Sequence, residues 1–170
     1  MATSPQQLIL RSNRHLTTLL LENQLVSNEI IEQANSRLLQ NLQSGKSKYA
    51  SILSILIYEL NAMEQSRWIN LLVDKYKMGL IALDNIDLSK APTEGIDIEM
   101  CWASMTVPFS TIGKATCLAT CYFVSKPIQE YWEEQFEKIL WYTTSVQSMS
   151  DALDSFAQPE TENNDEKPAS

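Results

Sequence analysis

The spacing of apolar residues changes at Gly79, and this change restricts the chain to a mixed architecture. Before Gly79 the apolar side chains recur at helical intervals, as Leu16 and Leu20 do. After it, short alternating runs are interleaved with helical ones. The pattern predicts an α+β fold, in which an N-terminal half of four helices precedes a small mixed sheet with two helices. We expect a helical subdomain over residues 11–78 and an α/β subdomain over residues 79–156.

The four N-terminal helices read as two copies of one helix hairpin. The segment Leu19–Asn23 aligns with Ile55–Glu59 at an offset of 36 residues, whereas Ile31 aligns with Trp68 at an offset of 37. One residue is therefore gained at the turn of the second copy.

Polar residues mark where the helices of these hairpins begin. Ser27 is a typical N-cap residue for the second helix. The segment Asn61–Glu64 resembles a capping box and is expected to open the fourth helix. Gln43–Ser47 is expected to form the loop between the two copies.

Residues after Gly79 alternate between strand and helix patterns. Alternation of apolar and other side chains predicts a strand over residues 98–102, and Gly113-Lys114 is expected to turn into a second strand over residues 115–124. Ser125-Lys126-Pro127 favours a helix start, because proline suits the first turn. A short strand over residues 141–143 and a last helix opening at Ser148 complete the pattern.

The two ends of the chain lie outside these periodic patterns, and residues 157–170 contain no large apolar residue. We expect a flexible lead over residues 1–10 and a disordered acidic tail over residues 157–170. The formal charge is −8, and nine acidic but only three basic side chains fall within residues 91–156. Residues 1–90 carry nine basic and eight acidic side chains, so the acidity belongs to the second half and the tail.

The composition also excludes several kinds of function. With a single histidine, His15, the sequence excludes paired-histidine zinc sites and allows a catalytic triad only if His15 carries it, and the four glycines are too scattered for a phosphate-binding loop. The negative charge argues against a nucleic-acid surface, which needs clustered lysine and arginine. We therefore predict a non-enzymatic domain with no cofactor, no metal and no nucleic-acid partner.

The cysteines fit a reducing compartment. There are three, which argues against a disulfide framework. On a strand, Cys117 and Cys121 would lie about 13 Å apart, too far to share a disulfide or an ion. We interpret both as core residues. The chain has neither a signal-peptide pattern nor a run of about 20 apolar residues, so we expect a cytoplasmic protein that does not insert into membranes.

The order of these elements resembles the N-terminal domain of the type II secretion and type IV pilus assembly ATPases (the GspE/MshE N-terminal domain). The family's opening motif, of the form RLGxxLVxxGLIxxxxLxxALxxQ, is comparable with residues 15–34, and a second copy is comparable with residues 51–72. Met78–Leu83 occupies the place of a segment like GLPFVDL. Later matches are Pro108-Phe109, residues 113–119, Lys126-Pro127 and residues 148–153.

This resemblance implies a protein-docking or regulatory module, and in some members of the family the two motif copies bind cyclic di-GMP. The corresponding stretch here is Arg14, His15, Leu16 and Thr17, in which His15 replaces the arginine and Thr17 the first glycine. Other family positions are also replaced: the middle glycine by Gln24, the final glutamine by Leu38, and the second-copy arginine and two glycines by Ser51, Leu53 and Leu60. Nucleotide binding is therefore the alternative hypothesis, because serine cannot replace arginine on phosphate and leucine blocks backbone approach.

The candidate docking residues are acidic. Glu130, Glu133, Glu134 and Glu137 have the i, i+3, i+4 spacing of one helix face. This spacing fits a solvated helix face, a docking surface for a basic partner, or, least well, a hard-cation site. His15 is expected to face solvent near a helix start. The tryptophans are interpreted as core residues rather than a ligand-stacking face: Trp68, Trp102, Trp132 and Trp141.

The sequence predicts an adaptor rather than an enzyme. The family's ATPase domain has no counterpart in this sequence, which contains no G-x-x-x-x-G-K-[ST] motif. We expect a protein partner, for which a component of a secretion or pilus machinery is the candidate.

Overall fold

A computed structural model describes residues 3–45, 51–122 and 125–157. Its helices and strands confirm the α+β class, with helices first and a sheet with further helices after them. In chain order they are α1 (Pro5–Glu22), α2 (Asn28–Gln43), α3 (Ile52–Ser54) continuing as a π-helix (Ile55–Glu59), α4 (Gln65–Asp74), β1 (Gly79–Leu80), two 3₁₀ turns (Leu83–Asn85 and Leu88–Lys90), α5 (Ile98–Ser104), β2 (Thr106–Ile112), β3 (Ala115–Thr120), α6 (Lys126–Gln135), β4 (Ile139–Thr143) and α7 (Val146–Ala157).

The first helix begins earlier than the sequence pattern indicates. Ser4 caps α1 by accepting a hydrogen bond from the Gln7 backbone N–H, and the Gln7 side chain accepts one in return from the Ser4 N–H. Pro5 occupies the first turn, where its missing N–H is not needed. The expected flexible lead over residues 1–10 is therefore wrong from Pro5 onward.

The residue gained in the second hairpin copy is taken up by the π-helix. The Leu60 N–H donates to the carbonyl oxygen of Ile55 at 2.9 Å, five residues back, which is the wider π-type turn. The second turn then ends on Asn61, and α4 starts after Glu64, 37 positions beyond the Ser27 cap of α2. Glu64 makes no side-chain capping hydrogen bond, so the expected capping box at Asn61–Glu64 is wrong.

The four strands pair in the order β1-β4-β3-β2. β2 and β3 are antiparallel and meet at Gly113, whose positive φ of 60° suits the tight turn that the sequence predicts there. β3 pairs in parallel with β4, and β4 with β1, so the sheet is mixed. Every residue of β3 is buried, as expected for a central strand covered on both faces.

The segment expected to be a strand at residues 98–102 is helix α5. Asp97 caps this helix by accepting from the Glu99 backbone N–H at 2.9 Å. Its buried residues are Met100, Cys101, Ala103 and Ser104, a helical rather than an alternating set. A seven-residue helix spans only two turns, so its apolar period resembles alternation.

Hydrogen bonds among the described residues join the helical half to the sheet half, and three of them involve side chains of α1 and α4. The Trp68 indole donates to the Cys121 carbonyl at 2.7 Å, and the Gln65 side-chain oxygen accepts from the Val146 N–H at 2.8 Å. The third, between Tyr122 and Asn13, spans 3.0 Å. One cluster of buried apolar residues includes members of both halves. The proposed boundary at residue 79 is thus crossed by direct contacts.

Two predicted segments, the loop after α2 and the C-terminal tail, extend beyond the residues that the structure describes. α2 ends at Gln43, as expected, but residues 46–50 lie outside the described residues. α7 begins at Val146 rather than at Ser148, because the Ser145 hydroxyl caps it by accepting from the Ser148 N–H at 3.1 Å. It continues to Ala157, and the remainder of the expected tail, residues 158–170, is outside the described part.

Candidate functional site

The residues at the nucleotide-motif positions lie along one turn of α1. Arg14 is exposed, whereas Leu16 is only 1% exposed and belongs to the core. The Thr17 hydroxyl donates to the Arg14 carbonyl at 2.8 Å, which occupies it within the helix. His15 is half-buried and its Nε2 atom is shielded from solvent, so the expectation of a solvent-facing histidine is wrong.

The turn after α1 has the backbone conformation that glycine favours. Gln24 stands where the family pattern has its middle glycine, and its φ is +55°. The Leu25 N–H donates to the Leu20 carbonyl at 2.9 Å and closes the turn. In the second copy the positive φ, +46°, belongs to Asn61, so Asn61 rather than Leu60 is the equivalent position. Both copies place a polar side chain where glycine would leave open backbone.

The acidic residues of α6 are exposed but do not all share one helix. Glu130, Glu133 and Glu134 lie on α6, and Glu130 pairs with Lys126 at 3.6 Å. Glu137 lies beyond the end of α6 at Gln135, which corrects the expectation of a single four-residue face.

The end of α6 is set by strand pairing. Phe136 takes an extended conformation (φ −135°, ψ 135°), and the Lys138 carbonyl accepts from the Thr116 N–H at 2.8 Å. The chain is thereby drawn into β4, where Ile139 pairs with Thr116. The structure therefore keeps three of the four glutamates together on α6 and carries Glu137 into the connection.

The tryptophans and cysteines serve the core. Trp68 and Trp132 are at most 1% exposed, and Trp102 and Trp141 pack partly buried against the core cluster. All three cysteines are buried thiols without disulfides. Burial, with a smaller effect of Asp97, raises the pKa of Cys101 to about 12. A thiol that stays protonated is a poor nucleophile and metal ligand, which supports the core interpretation.

A groove that no sequence motif indicates lies between α7 and the segment that contains the two 3₁₀ turns. We call it the α7 groove. Its volume is about 540 Å³. Its apolar lining is Leu83, Ile86, Leu88, Ala152 and Phe156, and its polar lining is Asp84, Ser89, Thr93, Ser148, Asp151 and Ser155. The Ser148 hydroxyl donates to Asp84 at 3.1 Å across 64 residues of sequence. Because its two walls are so far apart in the chain, no local spacing could reveal this site.

The electrostatics of the α7 groove are negative. None of its described lining residues is basic, and Asp151 accepts only a neutral amide hydrogen bond from Gln147, at 2.9 Å. The charge of Asp151 also acts outside the groove: burial raises the pKa of Tyr58, and the negative charge of Asp151 raises it further. An anionic ligand would be repelled here.

A second groove lies on the outer face of α2 and is lined with Leu60 of the second copy; we call it the α2 groove. Its volume is about 620 Å³, and its lining includes Glu29, Glu32 and one cation, Arg37. The Arg37 Nε atom lies 3.1 Å from the Glu59 carboxylate, so its charge is compensated. Neither groove offers an uncompensated cation for a phosphodiester.

The described residues contain neither a metal-binding cluster nor a membrane-spanning helix. No group of three or more histidine, cysteine, aspartate or glutamate side chains in residues 3–45, 51–122 and 125–157 is arranged to hold a metal ion. Within the same ranges no helix is both long and apolar enough to cross a membrane.

Comparison with known proteins establishes the fold. No protein-family model matches the sequence, and no curated protein matches it significantly. The structure of MshE with cdg (cyclic di-GMP) is similar at a TM-score of 0.51 and 19% identity, covering 83% of this chain and 97% of that one. The N-terminal domain of XpsE is similar at a TM-score of 0.53 and 11% identity, covering 83% and 93%. The expected likeness to N-terminal domains of secretion and pilus ATPases is thus confirmed at the level of fold.

Proposed function

We propose that this chain is a non-catalytic docking module, a regulatory or adaptor domain that binds another protein in the cytoplasm. The observation that carries the proposal is the negative α7 groove on a fold shared with N-terminal domains of secretion and pilus ATPases. An acidic surface selects basic partners, because complementary charge steers encounter and excludes wrong partners. A component of a secretion or pilus machinery is the partner that the fold suggests.

The acidic face of α6 is one candidate contact. Glu133 and Glu134 are exposed, and neither has a salt bridge among the described residues. Glu130 is partly compensated by Lys126, so the two central glutamates supply most of the available charge. Glu137, in the connection to β4, extends the acidic surface past the end of the helix.

Co-purification from the native cell tests this proposal. Tagged wild-type protein is expected to recover a specific component of a secretion or pilus machinery. The doubly charge-reversed variant Glu133→Lys/Glu134→Lys should recover several-fold less of it. Glu22→Lys/Asp74→Lys, which makes the same change in net charge at exposed sites at the ends of α1 and α4, is the matched control and should recover the wild-type amount. Recovery of no specific protein by the wild type would refute the docking proposal.

The second candidate function is a cyclic di-GMP sensor with a degenerate motif. It is favoured by the likeness to MshE, whose structure was determined with that ligand. The turns that end the first helix of each copy argue against nucleotide binding. Gln24 and Asn61 place side chains at the left-handed positions of these turns. Calorimetry decides: docking alone predicts no heat with cyclic di-GMP at high micromolar concentration. Saturable heat lost in Arg14→Ala would establish the sensor instead.

A further inference from the structure

The α7 groove combines an apolar floor with acidic rims. Leu83 and Ala152 are at most 3% exposed and form its base, while Asp84 and Asp151 are exposed at its edges. Ser89, Thr93 and Ser155 also line the groove. A surface of this kind complements a segment that carries apolar side chains flanked by cations.

The volume favours a short polypeptide segment over a deeply buried small molecule. About 540 Å³ accommodates a few side chains, and the groove is partly open to solvent rather than enclosed. Phe156, half-buried at the C-terminal end of α7, provides an aromatic wall for an apolar anchor. Such a groove suits one face of an amphipathic helix.

The segment that follows α7 does not suit the groove by charge. The segment that follows α7, residues 158–170, has four acidic side chains and one lysine. It would meet Asp84 and Asp151 with like charge, which disfavours its docking. A second copy of the chain brings a net charge of −8, so self-association is also opposed.

We propose that the α7 groove binds a basic amphipathic segment of a partner protein, with its apolar face on the partly exposed Ile86, Leu88 and Phe156 and its lysine or arginine side chains on Asp84 and Asp151. This inference deepens the proposed docking function and rests on it. It places the specific contact in the groove, whereas the α6 face would add only long-range attraction.

Fluorescence anisotropy with a defined probe tests the groove. The probe is a fluorescent amphipathic helix of leucine and lysine, with a sequence-scrambled peptide and a leucine–glutamate peptide as comparisons. The full chain is expected to bind the leucine–lysine helix at least about tenfold more tightly than either comparison peptide. The affinity should fall as salt rises, because the rim charges are exposed.

Three substitutions locate the binding. Asp151→Lys should weaken binding about tenfold by placing a cation at the rim. Ser155→Trp, which fills the exposed side of the groove without altering charge, should weaken it comparably. Asp74→Lys makes the same charge change outside the groove and should leave the affinity unchanged. Circular dichroism of each variant checks that it is folded.

Each other outcome contradicts the inference. Equal loss in Asp74→Lys and Asp151→Lys would reduce the effect to net charge, and unchanged binding in Ser155→Trp would place the peptide elsewhere. Loss in Glu133→Lys/Glu134→Lys with full binding in Asp151→Lys would overturn the groove but leave the docking function standing. Failure of the wild-type chain to bind the peptide would overturn the groove, while co-purification independently tests the docking function.

Discussion

The Tyr122 hydroxyl donates a 3.0 Å hydrogen bond to the Asn13 side-chain oxygen, joining residues that are 109 positions apart. The same oxygen accepts from the Ile52 N–H at 3.3 Å. Asn13 belongs to the first hairpin copy, Ile52 to the second, and Tyr122 to the segment after β3. One buried amide oxygen therefore links both hairpin copies to the sheet half through hydrogen bonds.

Replacing this amide should destabilise the whole fold. Asn13→Leu removes the side-chain oxygen that accepts from both the buried Tyr122 hydroxyl and the Ile52 N–H, which should lower the free energy of unfolding by about 3 kcal/mol. Asn35→Leu, at an exposed site on α2, should change it by less than about 0.5 kcal/mol. Urea denaturation measures both. A loss of unfolding free energy in Asn13→Leu as small as that in Asn35→Leu would contradict this structural role of Asn13.

The left-handed turn of the first copy should be stabilised by glycine. Gln24→Gly removes the Cβ strain of a positive φ and should raise the free energy of unfolding by about 0.5–1 kcal/mol after the entropy cost of glycine. Gln33→Gly, inside α2, should lower it by about 1 kcal/mol. Denaturation midpoints compare the two, and a destabilised Gln24→Gly would argue against the turn geometry.

Gly79 should not tolerate a side chain. A Cβ there would lie 2.5 Å from a ring atom of Tyr142, which faces it across the β1–β4 pair and packs edge-on against Phe109. Gly79→Ala should therefore cost about 1–3 kcal/mol. In a Tyr142→Val background most of that cost should disappear, and thermal denaturation of the four proteins measures the coupling. An unchanged cost in that background would exclude the ring as its cause.

Stability should fall at alkaline pH. Burial raises the pKa of Cys101 and of Tyr131 to about 12, from ordinary values of 9.0 and 10.0. Above pH 9 the unfolded chain loses these protons while the folded chain keeps them, so unfolding becomes more favourable as pH rises towards 12. Below pH 9 these groups should contribute no pH dependence.

Denaturation at pH 8, 9.5 and 11 should show this loss, with a shallower slope in Cys101→Ser. The slope is compared rather than the absolute stability, because serine is less suited to a buried site. Equal slopes in the two proteins would contradict a buried, protonated Cys101 thiol.

Local chemistry made much of the fold predictable from the sequence. The Ser27 cap, the Gly113 turn and the proline after Ser125 each fix a boundary with neighbouring residues alone, and the structure agrees. The start of α1 could also have been predicted, because Ser4-Pro5-Gln6-Gln7 has the spacing of a capping box. The resemblance in element order came from such boundaries.

Features decided by distant contacts were not predictable in this way. Strand pairing of Ile139 with Thr116 ends α6 before Glu137, although the local glutamate spacing continues a helix. The α7 groove depends on Asp84 meeting Ser148 in space, so neither segment indicates it alone. The glutamates of α6 could be recognised in the sequence by their charge, whereas the α7 groove could not be recognised at all.

The most direct test of the account is site-specific photo-cross-linking in the native cell, with the cross-linker at Ser155 beside the α7 groove and at Asp74 as the control. We predict that the Ser155 position captures one protein through a basic amphipathic segment, identified by peptide mass spectrometry, and that the Asp74 position does not. Capture of the same protein from both positions, or from neither, would contradict docking through this groove.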